Sequence, residues 1–188
     1  MPLGPLDPRD ETNLPFDPRD LPDPNFRPPD FIGVKTGWRA FGLPKQLPDF
    51  GVSPKLFSAT YHEFFWTPRQ HGVALCKKCG DNCPGETCRC GFYSAKTLDH
   101  LKSLGYIDRV TLNDERFSVI GEVSNWGKVI EGTQGWRAQK SYPRKLYVPF
   151  EARYLAKPLK EAYGVPVLLR TVLDRDLILE RGVRSDAA

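Results

Sequence analysis

The sequence predicts an α+β fold: a small antiparallel sheet with two or three short helices and a cysteine-rich zinc loop, preceded by a proline-rich extended arm. Three observations carry this expectation. Nine of the 18 prolines lie in residues 1–30, and all five cysteines lie in the fifteen residues 76–90. Between and beyond these stretches, aromatic and β-branched residues alternate with polar ones in runs of strand length, divided by Gly, Asn and Asp turns. With 188 residues, of which 40% are hydrophobic and 12% aromatic, the chain has material for one core. The expected division is an arm over residues 1–30, an α+β domain over 31–170 that contains the cysteine loop, and a C-terminal helix or tail over 171–188.

In the arm, each proline removes a backbone donor and fixes φ near −65°, which excludes helix and central strand. Leu6-Asp7-Pro8-Arg9-Asp10 is echoed ten residues on by Phe16-Asp17-Pro18-Arg19-Asp20. The segment reads as a solvated or extended arm, with Leu6, Leu14, Phe16, Leu21 and Phe26 as anchors if it lies on a partner or on the body.

A first strand is expected over residues 31–41, ending before Pro44. A second runs over 57–66, where Phe57, Ala59 and Tyr61 alternate with Ser58, Thr60 and His62 before Phe64-Phe65-Trp66. Val73-Ala74-Leu75 leads into the cysteine loop, and Gly91-Phe92-Tyr93 leaves it extended. Ser94 is the expected N-cap of a short helix over 95–104, with Leu98, Leu101 and Leu104 on one face and Gly105 as its stop. Strands follow over 110–112, 117–129 and 136–138, joined by loops at Asn113-Asp114 and at 131–135, with Ser124-Asn125 as a point of interruption. Residues 151–163 have helical spacing up to Gly164, and Pro158 is expected to kink that helix or to begin a second one. Residues 165–169 read as an edge strand, because Pro166 cannot donate to a central ladder. A last helix or frayed end is expected over 174–184.

The formal charge of +4 is unevenly spread. Residues 1–30 hold three arginines against seven carboxylates, a net −4, so the rest of the chain carries +8. A body of that charge suits an acidic partner or nucleic acid, and equally suits plain solubility. No stretch approaches the roughly 20 apolar residues of a membrane span, and no basic segment followed by an apolar one opens the chain. The cytoplasm is the expected location. Clustered cysteines, odd in number, differ from the dispersed pairs that staple secreted domains and agree with a reducing compartment.

Thiolates are soft ligands suited to tetrahedral zinc, and Cys76, Cys79, Cys83, Cys88 and Cys90 offer five donors for four places. Cys76-x-x-Cys79 has the spacing of a zinc-knuckle arm, Cys88-x-Cys90 is tighter, and Pro84-Gly85 supplies a turn between them. The expectation is one structural Zn2+ held by four of the five cysteines. Lys77, Lys78 and Arg89 would offset the −2 charge of such a site. Free buried thiols, or a loop disulfide leaving one thiol over, remain alternatives. Ferredoxin spacings do not match, and the residues after Cys79 are more loop than the helix a thioredoxin-like pair needs. His71 is five residues before Cys76 and is a substitute ligand, although His62, His71 and His100 read first as ordinary surface or core residues. No phosphate loop, dinucleotide fingerprint, zinc-protease helix or nucleophile elbow is present.

Gly-Trp-Arg-Ala occurs twice, at residues 37–40 and 135–138. Trp38, Trp66, Trp126 and Trp136 with Arg39, Arg137 and Lys128 suit aromatic stacking and phosphate contact, with Trp38, Arg39, Trp136 and Arg137 as candidate partner-binding residues, set against the alternative that tryptophans on strands pack the core.

The run Cys88-Arg89-Cys90-Gly91-Phe92-Tyr93-Ser94, then Gly121-Glu122-Val123, Trp126-Gly127-Lys128-Val129, Gly135-Trp136-Arg137-Ala138-Gln139 with Tyr142-Pro143, and Ala162-Tyr163-Gly164-Val165-Pro166-Val167 resembles an uncharacterised family of small proteins from actinobacteria and their bacteriophages. That family carries a Cys-x-Cys-Gly-[Ile/Phe/Leu]-Tyr element preceded by a further Cys and by a His or Cys. The resemblance covers residues 33–168 and names no reaction. It implies that Cys76, Cys88 and Cys90 are the constant thiols, with Cys79 or Cys83 where relatives have His, and, if the chain is phage-encoded, that it resides in host cytoplasm. The expected function is that of a non-enzymatic, zinc-stabilised protein that binds a macromolecular partner, a protein first. The alternatives are a nucleic-acid-binding regulator using the basic body, and a small thiol redox protein or other enzyme.

Overall fold

In the computed structural model, which describes residues 33–46, 53–60, 64–171 and 173, two long strands set the frame. Strand β7 (Arg116–Glu131) turns through residues 132–134 into β8 (Gly135–Val148), with Gly132 N–H donating to Gly135 O at 2.8 Å. Strand β1 (Lys35–Pro44) pairs antiparallel with β7 along its whole length, from Lys35 opposite Asn125 to Pro44 opposite Arg116. The free edge of β8 is taken in succession by β5 (Phe92–Ala95), β4 (Gly72–Val73) and, in parallel, β9 (Val167–Leu169). Because β5 also meets β1 at Trp38 opposite Ala95, the pairings β1–β7–β8–β5–β1 close into a ring. Two short additions complete the sheet: β2 (Leu56–Ser58) with β3 (Phe65–Trp66) on the edge of β1, and β6 (Thr111–Asn113) at the start of β7.

Successive side chains of a strand point to opposite faces, and the core divides accordingly. Phe41, Val119 and Leu146 belong to one buried cluster, while their neighbours Ala40, Ile120 and Tyr147 belong to another. Each face has its own helix. Helix α1 (Leu98–Ser103) brings Leu98 and Leu101 to the second cluster. Helix α2 (Ala156–Tyr163) brings Leu159 and Tyr163 to the first, and the 3-10 turn before it (Phe150–Leu155) brings Leu155. Two buried tyrosines tie α2 to the sheet: Leu56 N–H donates to Tyr163 Oη and Tyr163 OH to Trp66 O, both at 2.7 Å, while Tyr142 OH donates to Tyr163 O at 3.0 Å. Burial raises the pKa of both phenols, so these donors stay protonated.

The fold is thus a sheet-rich, antiparallel one with few helices and a cysteine cluster. Several expected elements differ in detail. The single strand expected over 57–66 is a hairpin, with Leu56 opposite Trp66 and Phe57 opposite Phe65. Ser94 lies inside β5 rather than at a helix start, and Thr97 caps α1 by accepting the His100 N–H at 3.2 Å. Leu104, expected on the buried face, is 52% exposed. The strand expected over 136–138 runs on to Val148, because Pro143 sits where the register shifts near Glu122 and Val123 and needs no regular ladder bond. Ser124-Asn125 does not interrupt β7: Asn125 is buried, donating through Nδ2 to Ser94 Oγ and Lys35 O. Pro158 falls in the first turn of α2, where its missing donor costs nothing, and Gly164 ends that helix at φ +66°. No helix of the described residues is long and apolar enough to cross a membrane. The arm over 1–30, the segment 174–184 and His62 lie outside the described residues.

Candidate metal centre

The cysteine loop closes because its two ends are held side by side on one strand. Val73 of β4 pairs with Lys140 of β8, Ala74 N–H donates to Gln139 O at 2.8 Å, and Phe92 of β5 pairs with Ala138. The chain leaves β8 and returns to it within three residues of the same edge. Inside the loop, Gly80 N–H donates to Cys76 O, Asn82 N–H to Cys79 O, and Cys88 N–H to Gly85 O, so each arm carries a tight turn.

These turns bring Cys76, Cys79, Cys88 and Cys90 together, with their four sulphurs all within 4.8 Å of one another and none in a disulfide. Cys76 Sγ lies 3.7 Å from Cys88 Sγ, and Cys79 Sγ lies 3.5 Å from Cys90 Sγ. All four side chains are half-buried. Four cysteines are therefore positioned to hold a single metal ion. Gly85 is required by the closeness of the cluster, since a Cβ there would sit 2.7 Å from Cys79 Sγ and 3.2 Å from Cys88 Cβ.

Of the five candidate thiols, Cys83 is the fully buried one. It belongs to the main apolar cluster and, although it neighbours Cys90, is not one of the four grouped sulphurs. The choice of fourth donor between Cys79 and Cys83 falls to Cys79 on geometry. Sequence spacing alone does not reveal this, because both lie within reach of a loop of this length. His71 is not in the group either: its ring packs at 5.5 Å from Trp126.

The thiols do not share protons evenly. Donation of its S–H to Cys88, and burial, push the Cys79 thiol up to about 12, and burial pushes Cys83 up to about 12. Backbone N–H groups of Cys79 and Lys78 lower Cys76. At Cys90, burial opposes ionisation, but the Gly85 N–H at 3.3 Å and the neighbouring thiols outweigh it and bring the group down to about 6. Four sulphurs this close cannot all carry charge without a cation among them.

The repeated Gly-Trp-Arg-Ala motif flanks β5 on both edges. Gly37 to Ala40 lie on β1 and Gly135 to Ala138 on β8. Arg137 is a clamp on the loop rather than a free surface cation: its Nη1 donates to Cys88 O, with Gly85 O and Cys90 O each 3.4 Å away. Trp136 donates through Nε1 to Thr36 O at 3.0 Å, and Lys35 and Lys96 sit 5.6 and 4.6 Å from its ring. Arg39 bridges β5 to β2 by donating to Tyr93 O and Ser58 Oγ, and its guanidinium lies 4.7 Å from the Trp66 ring. Burial lowers its pKa to about 10, and no carboxylate among the described residues pairs with it. Trp38 is half-buried against Tyr147.

Trp38, Arg39, Trp136 and Arg137 all line one cleft of about 1160 Å³, which runs along β5 from the metal loop to α1. Four exposed apolar side chains, Val73, Leu75, Tyr93 and Leu104, line the same cleft. Its other charged lining groups are Lys77 and Arg89, with Glu131, whose carboxylate is held by Lys96 at 2.5 Å and lowered below its usual range by that bond. The sequence signals for this cleft are the tryptophans and arginines of the repeated motif and the extended run Gly91-Phe92-Tyr93. Leu75 and Leu104 carried none that distinguished them from core residues. Comparison with family models, with curated proteins and with solved structures gives no match for the chain.

Proposed function

We propose that this chain is a zinc-stabilised binding module of actinobacterial or phage type, which presents the cleft along β5 to an acidic, apolar-bearing segment of a partner protein. The observation that carries this reading is Arg39, a half-buried guanidinium that donates to Tyr93 O and Ser58 Oγ and has no carboxylate partner among the described residues, set in a cleft rimmed by exposed apolar side chains. A half-buried charge without a counter-ion is favoured further when an anionic ligand docks against it. The net +8 outside residues 1–30 attracts the same class of partner.

Zinc is the ion that suits the four thiols. A tetrahedral ion with thiolate bonds of about 2.3 Å spaces its sulphurs about 3.8 Å apart, against 3.7 and 3.5 Å for the two pairs here. All-cysteine, closed coordination is that of a structural site, and its role is to hold the loop that forms one wall of the cleft.

Two measurements test the reading. Metal analysis of protein purified without added metal is expected to give one zinc per chain, lost in Cys79→Ser and kept in Cys83→Ala. A different metal, or none, overturns the zinc assignment. Fluorescence titration of the full chain with an Asp- and Phe-rich peptide is expected to show one-to-one binding that Tyr93→Ala and Leu75→Glu weaken at least tenfold, with a Lys- and Phe-rich control inert. Tight, strongly salt-dependent binding of a single-stranded oligonucleotide, with no peptide binding, replaces the protein partner with nucleic acid.

A further inference from the structure

We propose that the four thiols are a metal-for-disulfide exchange site, in which oxidation replaces the ion by two bridges, Cys76 to Cys88 and Cys79 to Cys90, that keep the loop closed. This rests on the zinc reading above. Cys76 and Cys79 stand on the arm that leaves β4, while Cys88 and Cys90 stand on the arm that enters β5. The short sulphur distances of 3.7 and 3.5 Å both run across the loop, from one arm to the other. A disulfide needs its sulphurs at about 2.05 Å, so each pair has less than about 2 Å to close. Bridges within an arm, Cys76 to Cys79 and Cys88 to Cys90, would leave the arms unlinked once the ion is gone.

Access and selectivity follow from burial. The four thiols are half-buried, and Cys76, Cys88 and Cys90 line the cleft, so a small oxidant reaches the cluster. Cys83 neighbours Cys90 but is fully buried in the apolar cluster, where the oxidant does not reach it, and stays a thiol. The oxidant is hydrogen peroxide. In each pair one thiolate attacks a peroxide oxygen, breaking the O–O bond and forming a sulfenic acid while hydroxide leaves and takes up a proton. The cross-arm thiolate then attacks that sulfur, forming the S–S bond and expelling a second hydroxide, which is protonated to water. For the whole site, two peroxides and four protons convert the tetrathiolate zinc complex into two disulfides, free Zn2+ and four waters. Sulfur loses four electrons and peroxide oxygen gains them. Two dithiol reductant equivalents reverse the exchange and restore the zinc site.

The test uses the zinc-loaded full chain, with metal content measured first so that a failed zinc assignment is seen separately from a failed exchange. Hydrogen peroxide is added, released zinc is followed with a chromogenic chelator, and bridges are mapped by mass spectrometry of peptides. The expected result is one zinc released per chain, bridges 76–88 and 79–90, one remaining thiol at Cys83, and a thermal midpoint near that of the zinc form. Chelated, reduced protein is expected to melt well below both. Cys83→Ala is expected to give the same bridges and no free thiol. Bridges within an arm, the opposite cross-arm pairing, bridges to Cys83, sulfinic acid without disulfide, or correct bridges with loss of the fold each overturn the proposal.

Discussion

The two copies of Gly-Trp-Arg-Ala are the same four residues placed on opposite edges of the same strand, and they do different work. Both glycines press on Ser94 of β5, and both alanines are buried. The arginines diverge. Arg39 spans to Ser58 and covers Trp66 at the edge of the core, whereas Arg137 reaches three carbonyls of the metal loop. The β5 chain is the reason. On the β8 side it comes directly out of the cysteine loop, so the loop's carbonyls lie over Arg137. On the β1 side its one ladder pair is Ala95 with Trp38, and Arg39 reaches Tyr93 O beside the cleft that both strands line. A motif therefore fixes how a strand edge packs, while its arginine takes its task from whatever the neighbouring strand brings.

The glycines give the largest expected effects and a way to break the comparison. A Cβ at Gly135 would lie 2.6 Å from Ser94 O, a backbone atom that cannot move without disturbing β5. Gly135→Ala is expected to cost about 3 kcal/mol or more, as severe overpacking does, measured by denaturant unfolding. At Gly37 the Cβ would collide with Ser94 Oγ and come within 2.9 Å of its Cβ. Those are side-chain atoms, with the backbone Ala95 O farther off at 3.0 Å, so Gly37→Ala is expected to cost about 1–3 kcal/mol, and Ser94→Gly is expected to relieve part of it. Equal costs, with no relief, would mean that the two edges are not as different as described.

The arginines come next. Arg137→Ala is expected to cost about 1.5–3 kcal/mol, the range for hydrogen bonds from a charged donor, and to speed zinc loss to a competing chelator. Arg39→Ala is expected to cost less, because removing a desolvated charge returns part of what its bonds contribute, and to leave zinc loss unchanged. If zinc loss responds equally to both, Arg137 is not a specific clamp. The smallest effect is expected at the tryptophans. Trp136→Phe removes one hydrogen bond to Thr36 O, about 0.5–1.5 kcal/mol, and thermal melting checks it.

Much of this was legible in the chain. The loop expected over 131–135 is a turn at 132–134, the edge strand expected over 165–169 is β9 at 167–169, and Gly164 ends its helix as expected, all from local chemistry. The cysteine cluster was visible from spacing, as was the excess of one thiol over the four an ion needs. What misled was local too. Phe57 to Trp66 alternates like one strand, yet its two ends pair with each other. Ser94 is a good helix cap by residue type, yet its hydroxyl meets Asn125 across the sheet. Residues 139–148 gave no strand signal past Ala138 because β8 has neighbours on both edges and Pro143 at a register shift.

The sequence by itself determined the kinds of chemistry available: soft ligands in one loop, an acidic proline-rich segment before a basic body, and apolar runs with period two. Those depend on residue type and on neighbours a few positions away. Tertiary structure alone decided which sulphur joins the cluster and which enters the core, and which arginine holds the loop and which lines the cleft. Each of those choices turns on residues about 50 or more positions apart meeting along β5 and β8. Such meetings are set by strand register, where a shift of one residue exchanges the two faces of a strand.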